Sequence, residues 1–166
     1  MTVDSYAFLP RAFRPMYEAA PRFDHAPEWA EFDMPLADAR IGLLSSAGVF
    51  LADEQQPFDV ERERREPTWG DPTLRIIPND VVQSQVDATH LHINTADLLT
   101  DLDVALPIQR LDELVNRGEV GSASPEHFSV MGFQQDGAEV WRTTTGPEIA
   151  ARCHAVDIDA LILAPA

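Results

Sequence analysis

The sequence contains no lysine, and its basic side chains are twelve arginines. The absence of lysine excludes Schiff-base catalysis and the lysine-containing phosphate loop. Twenty-eight acidic residues outnumber the arginines and give a formal net charge of -16. Because nucleic acids and anionic membranes repel a chain of this charge, we expect neither nucleic acid nor membrane as a partner.

Cysteine and long apolar segments are also scarce. Cys153 is the only cysteine, which excludes an internal disulfide and fits a reducing compartment. Apolar runs such as residues 41–51 are too short to span a membrane. The first residues show no basic stretch followed by an apolar core, so no signal peptide is predicted. We therefore expect a cytoplasmic location.

The 166 residues are enough for one domain that buries a core without disulfides or metal. Residues 1–39 are rich in proline and aromatic side chains and predict an irregular N-terminal arm, with short helices near 11–20 and 26–31. Residues 40–166 form the predicted main domain. Within it, residues 53–73 are polar and predict a surface loop, whose charged run 61–66 is interpreted as a solvated face.

Short apolar runs in the main domain alternate with helical patterns. Strands are predicted over residues 41–44, 74–78, 90–93 and 159–166. Helices are predicted over 106–116 and 146–156, the second opened by a capping box of Thr145 and Glu148. Such alternation predicts an α/β fold: a three-layer, doubly wound, mostly parallel sheet.

In open α/β sheets, ligands bind beyond the carboxyl ends of the strands. Ser45, Ser46 and Gly48 follow the first predicted strand, where small residues let backbone amides approach an anion. We expect these three residues to bind substrate. The alternative is an ordinary tight turn.

Histidines supply the other candidate polar groups. In the predicted strand 90–93, His90 and His92 share one face, and Asn94 and Asp97 follow directly. We expect these four residues to line a substrate pocket, with His127 as a further candidate. No cysteine cluster or carboxylate stands at metal-ligand spacing, so no metal site is predicted. The alternative is that the histidines are structural or lie at the surface.

No sequence signature of a hydrolase nucleophile is present. The apolar face of the predicted helix 146–156 includes Cys153, so we interpret this residue as part of the core. On the residues alone, the chain lacks a nucleophile.

Several segments occur in an order and spacing that resemble the glycine, sarcosine, betaine and D-proline reductase family, in particular its selenoprotein B type subunit. The resemblance covers about residues 40–166 and is carried by residues 41–49, 70–78, 89–97, 106–121, 127–132 and 146–150. In that family, the segment similar to residues 160–166 leads directly into selenocysteine or cysteine. We expect that residue just after Ala166, with a selenocysteine codon read as a stop. A truncated sequence and a paralogue without the redox group are the alternatives.

The resemblance implies an oxidoreductase subunit that cleaves the carbon–nitrogen bond of glycine, betaine, sarcosine, D-proline or a related amino acid, with a disulfide as acceptor. It would be active only if the selenocysteine or cysteine is present. The resemblance implies no cofactor in this chain and a pyruvoyl group on a partner subunit of the complex. We expect the backbone amides of the Ser45–Gly48 turn and the pair His90 and His92 to bind the substrate carboxylate. We expect His127 to assist amine departure as a catalytic general acid. The alternative function is a non-catalytic module of the same fold that binds a small acid or a metal.

Overall fold

A computed structural model of the chain describes residues 11–12, 14–18, 30–134 and 138–166. The chain divides into two compact units, Met1–Glu31 and Phe32–Ala166. The first contains a short helix, α1 (Arg14–Glu18), inside the predicted helix 11–20. Of the predicted helix 26–31, residues 30 and 31 are not helical and the remainder lies outside the described residues. The predicted boundary between residues 39 and 40 stays a prediction.

The second unit alternates short strands with short helices. Its elements, in chain order, are a 3-10 turn (Leu36–Asp38), β1 (Arg40–Ser45), β2 (Val49–Leu51), α2 (Val60–Arg65), β3 (Arg75–Pro78), a 3-10 turn (Gln83–Gln85), β4 (Val86–Ala88), α3 (Ala96–Thr100), a 3-10 turn (Leu102–Val104), α4 (Ile108–Asn116), β5 (Ser122–Ala123), β6 (Glu126–Ser129), α5 (Ala138–Val140), a π-helical turn (Trp141–Thr145), α6 (Gly146–Ala155) and β7 (Ala160–Ala164).

The main sheet is built around β1. This strand pairs in parallel with β5, β6 and β7. Because β7 pairs along residues 41–45 of β1 while β5 and β6 pair at its two ends, β5 and β6 must share the opposite edge. β3 lies antiparallel to β6, and β2 forms a separate antiparallel pair with β4. The predicted α/β fold with a mixed, mostly parallel sheet is confirmed.

Apolar side chains of β1 to β4 and of the helices α3 and α4 form the core. Leu43, Ile77, Leu106 and Phe128 are fully buried, and Phe58 is nearly so. The apolar stripe of α4 is buried through Ile108 and Leu111, as predicted from its 3.6-residue period.

The carboxyl-terminal helix and strand are less covered than the rest. Among the described strands, β7 pairs only with β1, and its Ile162 and Leu163 are 47% and 65% exposed. α6 has no buried residue. Within the described ranges, no helix has both the length and the apolar character needed to cross a membrane.

Three local predictions are wrong. Residues 90–93 form a bend, because the N–H of His92 donates to His90 Nδ1 (3.0 Å) and closes a turn. Thr145 opens no capping box, because it lies inside a continuous helical segment and its hydroxyl donates to the Pro72 carbonyl (2.6 Å). The charged run is not wholly solvated, because α2 buries Glu63 to 3% exposure.

Candidate functional site

The parallel strands β1, β6 and β7 end at the same edge of the sheet, and Ser46 joins their ends. Its N–H donates to the Ala164 carbonyl (3.2 Å), and its Oγ accepts from the Ala166 N–H (2.9 Å). Its carbonyl accepts from the Gly132 N–H (3.0 Å). The sequence thus correctly placed the Ser45–Gly48 turn at the carboxyl end of the first strand.

The amides of this turn are already used by the protein. The Ala47 N–H donates to Ser45 Oγ (3.2 Å), and the Gly48 N–H donates to the Val130 carbonyl (3.1 Å). Together with the Ser46 amide, all three therefore have protein acceptors. A carboxylate would have to displace one of these bonds, so the geometry is that of a tight turn and not of an open anion-binding nest.

Gly48 brings the turn against the histidine segment. Its φ is +68°, a left-handed conformation that favours glycine. A Cβ at this position would collide with the Thr89 carbonyl and lie 2.8 Å from Met131 Sδ. The close approach also lets the Thr89 N–H donate to the Gly48 carbonyl (3.1 Å).

His90 and His92 lie in contact with each other, and His92 also contacts Phe133, which lies beyond the end of β6. Their rings meet edge-on at 5.8 Å between centroids, and the His92 ring lies 4.5 Å from that of Phe133. Burial, together with the nearby His92, lowers the pKa of His90. Because His90 Nδ1 accepts the His92 N–H, the neutral ring carries its proton on Nε2. That buried nitrogen has no partner among the described residues.

A buried carboxyl group adjoins the histidines. Glu63 Oε1 accepts from the Asp71 N–H (3.2 Å), whereas Oε2 is buried and finds no partner in the part of the chain that the structure describes. Burial raises the pKa of Glu63, and the charges of Asp71 and Asp59 act in the same direction. The Asp71 N–H and the charge of His92 oppose this shift and lower the pKa.

Asp71 organises the surroundings of Glu63. One of its carboxylate oxygens accepts from the Asp59 N–H (2.8 Å), and the other accepts from the Thr73 N–H and hydroxyl (2.9 and 2.5 Å). Its backbone carbonyl accepts from Gln134 Nε2 (2.9 Å). Because Gln134 Nε2 also donates to the Met131 carbonyl (3.3 Å), the Gln134 amide orientation is fixed. Gln134 Oε1 is left buried and unpartnered within the described ranges.

These contacts connect two groups of residues along one edge of the sheet. The first is the Ser45–Gly48 turn with Gly132. The second, which we call the Glu63 cluster, comprises Glu63, Asp71, His90, His92, Phe133 and Gln134. Residues 132–134 link the two groups through the chain itself.

The remaining predicted residues lie elsewhere. Asn94 Oδ1 accepts from the Ala96 N–H (3.1 Å) at the start of α3, and Asp97 is exposed in the first turn of that helix. Neither has a hydrogen bond to the Glu63 cluster among the described residues. Their predicted role in substrate binding stays a prediction.

His127 is fully buried on β6. Its Nδ1 accepts from the Leu43 N–H (3.2 Å), so the neutral ring donates from Nε2 to Asn79 Oδ1 (2.8 Å). Burial lowers the pKa of His127 to about 4, against a small opposing effect of Asp112. A neutral ring with both nitrogens engaged suits a structural role in the sheet better than a proton donor near pH 7.

The described residues offer few metal ligands or nucleophiles. No group of three or more histidine, cysteine or acidic side chains in the described residues has metal-binding geometry. Cys153 is partly buried on α6, and burial raises the pKa of its thiol. A thiol of this kind stays protonated and is a poor nucleophile.

Sequence reasoning missed Glu63, Asp71 and Gln134. Glu63 lies in a run with five other charged side chains, and the run alone does not show which of them faces inward. A helical reading of residues 60–65 would have placed Glu63 three residues after Val60, on the same face. Asp71 lies in one of the segments that carry the family resemblance.

The comparisons with known proteins agree with that resemblance at a distance. The chain is 26% identical over 137 residues to the D-proline reductase subunit gamma of Acetoanaerobium sticklandii, which covers 82% of this chain and 52% of that protein. The chain thus spans about half the length of the curated relative it matches. No protein-family model and no solved structure matches the chain. The chain is therefore distantly related to a subunit of an amino-acid reductase.

Proposed function

We propose that this chain is a subunit of a reductase complex that cleaves the carbon–nitrogen bond of a small amino acid. The observation that carries the proposal is the similarity to D-proline reductase subunit gamma over 82% of the chain. Glycine, betaine, sarcosine and D-proline are the candidate substrates. The proposal extends to the partners, which are the other subunits of the complex, including one that bears a pyruvoyl group.

The sheet edge supports this proposal because it gathers small and polar residues where α/β proteins bind ligands. Ser46 and Gly132 lie beside the carboxyl end of β7, and the Glu63 cluster lies beyond Gly132. A reacting group carried just after β7 would thus face polar groups able to hold a substrate.

Reductive cleavage by this route requires a nucleophile that displaces the amine from the α-carbon. Cys153 is unsuitable, because burial keeps its thiol protonated. We propose that a selenol or thiol next to the carboxyl end of β7 serves instead, supplied by a residue other than Cys153. A selenol is ionised at neutral pH and needs no neighbouring base, by the same reasoning that makes low-pKa thiolates reactive.

The test uses the complex purified from its own host through a tag on the N-terminus of this chain. The purified complex is incubated with each candidate amino acid and a dithiol, and the products are measured by mass spectrometry. Cleavage of the ring of D-proline gives 5-aminopentanoate, and cleavage of the other three gives acetate. We expect one product, absent from a host that lacks the gene and restored by its return. A complex that forms none of these products would contradict the proposal.

Intact mass spectrometry of the native chain tests the nucleophile separately. A mass above 18.4 kDa with selenium, or with an added cysteine, is expected. A native mass equal to that of the 166 residues would favour the second candidate, a non-catalytic module that binds a small acid. The observation favouring that candidate is the presence of a single, poorly reactive cysteine.

A further inference from the structure

The Glu63 cluster contains three buried polar atoms that lack partners among the described residues: Glu63 Oε2, His90 Nε2 and Gln134 Oε1. Leaving such atoms unsatisfied costs free energy, so most are paired in native proteins. Glu63 is the most buried of the three residues, with 3% of its surface exposed. Its second oxygen is the strongest sign that another molecule completes the cluster.

The three residues that carry these atoms are connected through Asp71 and His92. Glu63 binds the N–H of Asp71 and Gln134 binds its carbonyl, so both side chains meet at a single residue. The ring of His92 contacts the rings of His90 and of Phe133, the neighbour of Gln134. The charge of His92 also acts on Glu63.

The types of free atom indicate which ligand fits. Gln134 Oε1 can only accept a hydrogen bond, because its amide orientation is fixed by the two carbonyls that Nε2 contacts. His90 Nε2 can only donate, because Nδ1 of the neutral ring accepts the His92 N–H. Ionised Glu63 adds a second acceptor with a negative charge. Two acceptors and one donor match a molecule that carries both an ammonium and a carboxylate group.

Charge at the cluster favours the ammonium group. Three carboxyl groups, of Asp59, Glu63 and Asp71, lie close enough to affect one another, and the Arg75 guanidinium interacts with Asp71. The Asp71 and Asp59 carboxylates already accept backbone N–H groups. Of the three carboxyl groups, that of Glu63 has a buried oxygen without a hydrogen-bond partner among the described residues.

We propose that Glu63, His90 and Gln134 form a binding site for a small amino acid. Glu63 Oε2 and Gln134 Oε1 accept hydrogen bonds from its ammonium group, and the His90 Nε2–H donates to its carboxylate. The inference rests on the proposed function and deepens it, because it assigns the residues that recognise the amine to be removed.

The site predicts a preference for amines over their oxygen analogues. Glycolate is glycine with a hydroxyl in place of the ammonium, and tetrahydrofuran-2-carboxylate is proline with a ring oxygen in place of the nitrogen. The four compounds are titrated into the full chain by calorimetry. We expect glycine, D-proline or both to bind about tenfold or more tightly than the oxygen analogue, the effect of one charged hydrogen bond. Equal affinity for the amine and its oxygen analogue in both pairs, or no binding of any of the four compounds, would overturn the inference with the wild-type protein alone.

Glu63→Gln tests the assignment of the ammonium. In this variant the preference for the amine is expected to fall to about threefold or less. Glu61→Gln removes an exposed carboxylate from the same helix and is expected to keep the full preference. Wild-type affinity for the amine is also expected to rise with pH above 4.5 as Glu63 ionises, and this rise is expected to vanish in Glu63→Gln. A preference that survives in Glu63→Gln would overturn the inference.

The outcomes separate this inference from the proposed function. If the complex reduces an amino acid and Glu63→Gln keeps the wild-type preference for amines, the proposed function is supported and the proposed binding site is contradicted. Glu63-dependent binding in a complex that reduces none of the four substrates would support the site and contradict the function.

Discussion

Glu63 places a carboxyl group where the folded protein disfavours its charge. Burial raises the pKa of Glu63 above the unfolded value of 4.5. The contribution of this group to stability is therefore complete below pH 4.5 and is lost as the pH rises through the folded-state pKa. The residue thus lowers stability at neutral pH, as functional residues often do.

Replacing Glu63 by glutamine is expected to stabilise the free protein at pH 7.5. The amide keeps an oxygen for the Asp71 N–H and removes the buried charge. A gain of about 1 kcal/mol would raise Tm by about 2–4 °C for a chain of this size. Thermal unfolding at pH 7.5 and 4.5 measures the effect, which should nearly disappear at the lower pH. A lower Tm at pH 7.5 than that of wild type would show that Glu63 has a partner when charged.

His127 has the opposite dependence on pH. Its pKa is lowered to about 4 from 6.5, so its contribution to stability is complete above pH 6.5 and is lost as the pH falls towards 4. The loss amounts to roughly 3 kcal/mol. Protonation places a hydrogen on Nδ1, which can then no longer accept the Leu43 N–H.

His127→Leu is expected to lower the free energy of unfolding by about 2–4 kcal/mol at pH 7.5, because Leu43 and Asn79 each lose a buried partner. The variant should also lose less stability than wild type between pH 7.5 and 5. Urea unfolding at both pH values gives the comparison, and the exposed His154→Gln serves as control. Equal losses in His127→Leu and wild type would contradict the assigned pKa.

At the scale of elements, the turn after β1 depends on one glycine. Gly48 and Gly118 have almost the same backbone conformation, with φ of +68° and +71°. A Cβ on Gly48 would meet Thr89 and Met131, whereas a Cβ on Gly118 has no atom within 4 Å among the described residues. The pair therefore separates backbone strain from steric collision.

Gly48→Ala is expected to destabilise the protein by about 1–3 kcal/mol more than Gly118→Ala, because only the first forces neighbouring atoms apart. Denaturant unfolding of the two variants measures the difference. Similar losses in both would mean that the segment after Thr89 moves freely and does not hold the histidines in place.

The same elements show how far the sequence predicts the structure. The strands 41–44, 74–78 and 159–166 and the helix 106–116 were predicted correctly, because apolar runs bounded by proline, glycine or polar residues specify them locally. The strand at 90–93 was not, because four alternating residues are also compatible with a bend closed by His90 Nδ1. The burial of Glu63, and the hydrogen bonds that Glu63 and Gln134 each make with Asp71, depend on contacts between segments that are distant in the sequence. A single sequence carries no direct record of such contacts.

At the scale of the whole molecule, the dominant property is the net charge of -16. Like charges repel one another more strongly in the compact state than in the unfolded chain. Sodium chloride is therefore expected to raise Tm between 20 and about 200 mM, the range over which the screening length falls below about 10 Å. Differential scanning fluorimetry measures the rise, with sucrose of equal osmolality as control. A Tm that does not change with salt would indicate that repulsion between the acidic side chains contributes little to the stability of the folded state.

The pairing of β1 with β5 and β6 has a consequence for how the sheet opens. Between the two short strands, the Leu43 N–H is held by an imidazole and not by a backbone carbonyl. Amide hydrogen exchange in most sheets is fastest at the ends of strands and slowest at their centres. Here the hydrogen bond at the middle of the central strand is lost when His127 becomes protonated. Mild acid would therefore increase deuterium uptake at Leu43 before its neighbours, so that the sheet loosens first from the inside.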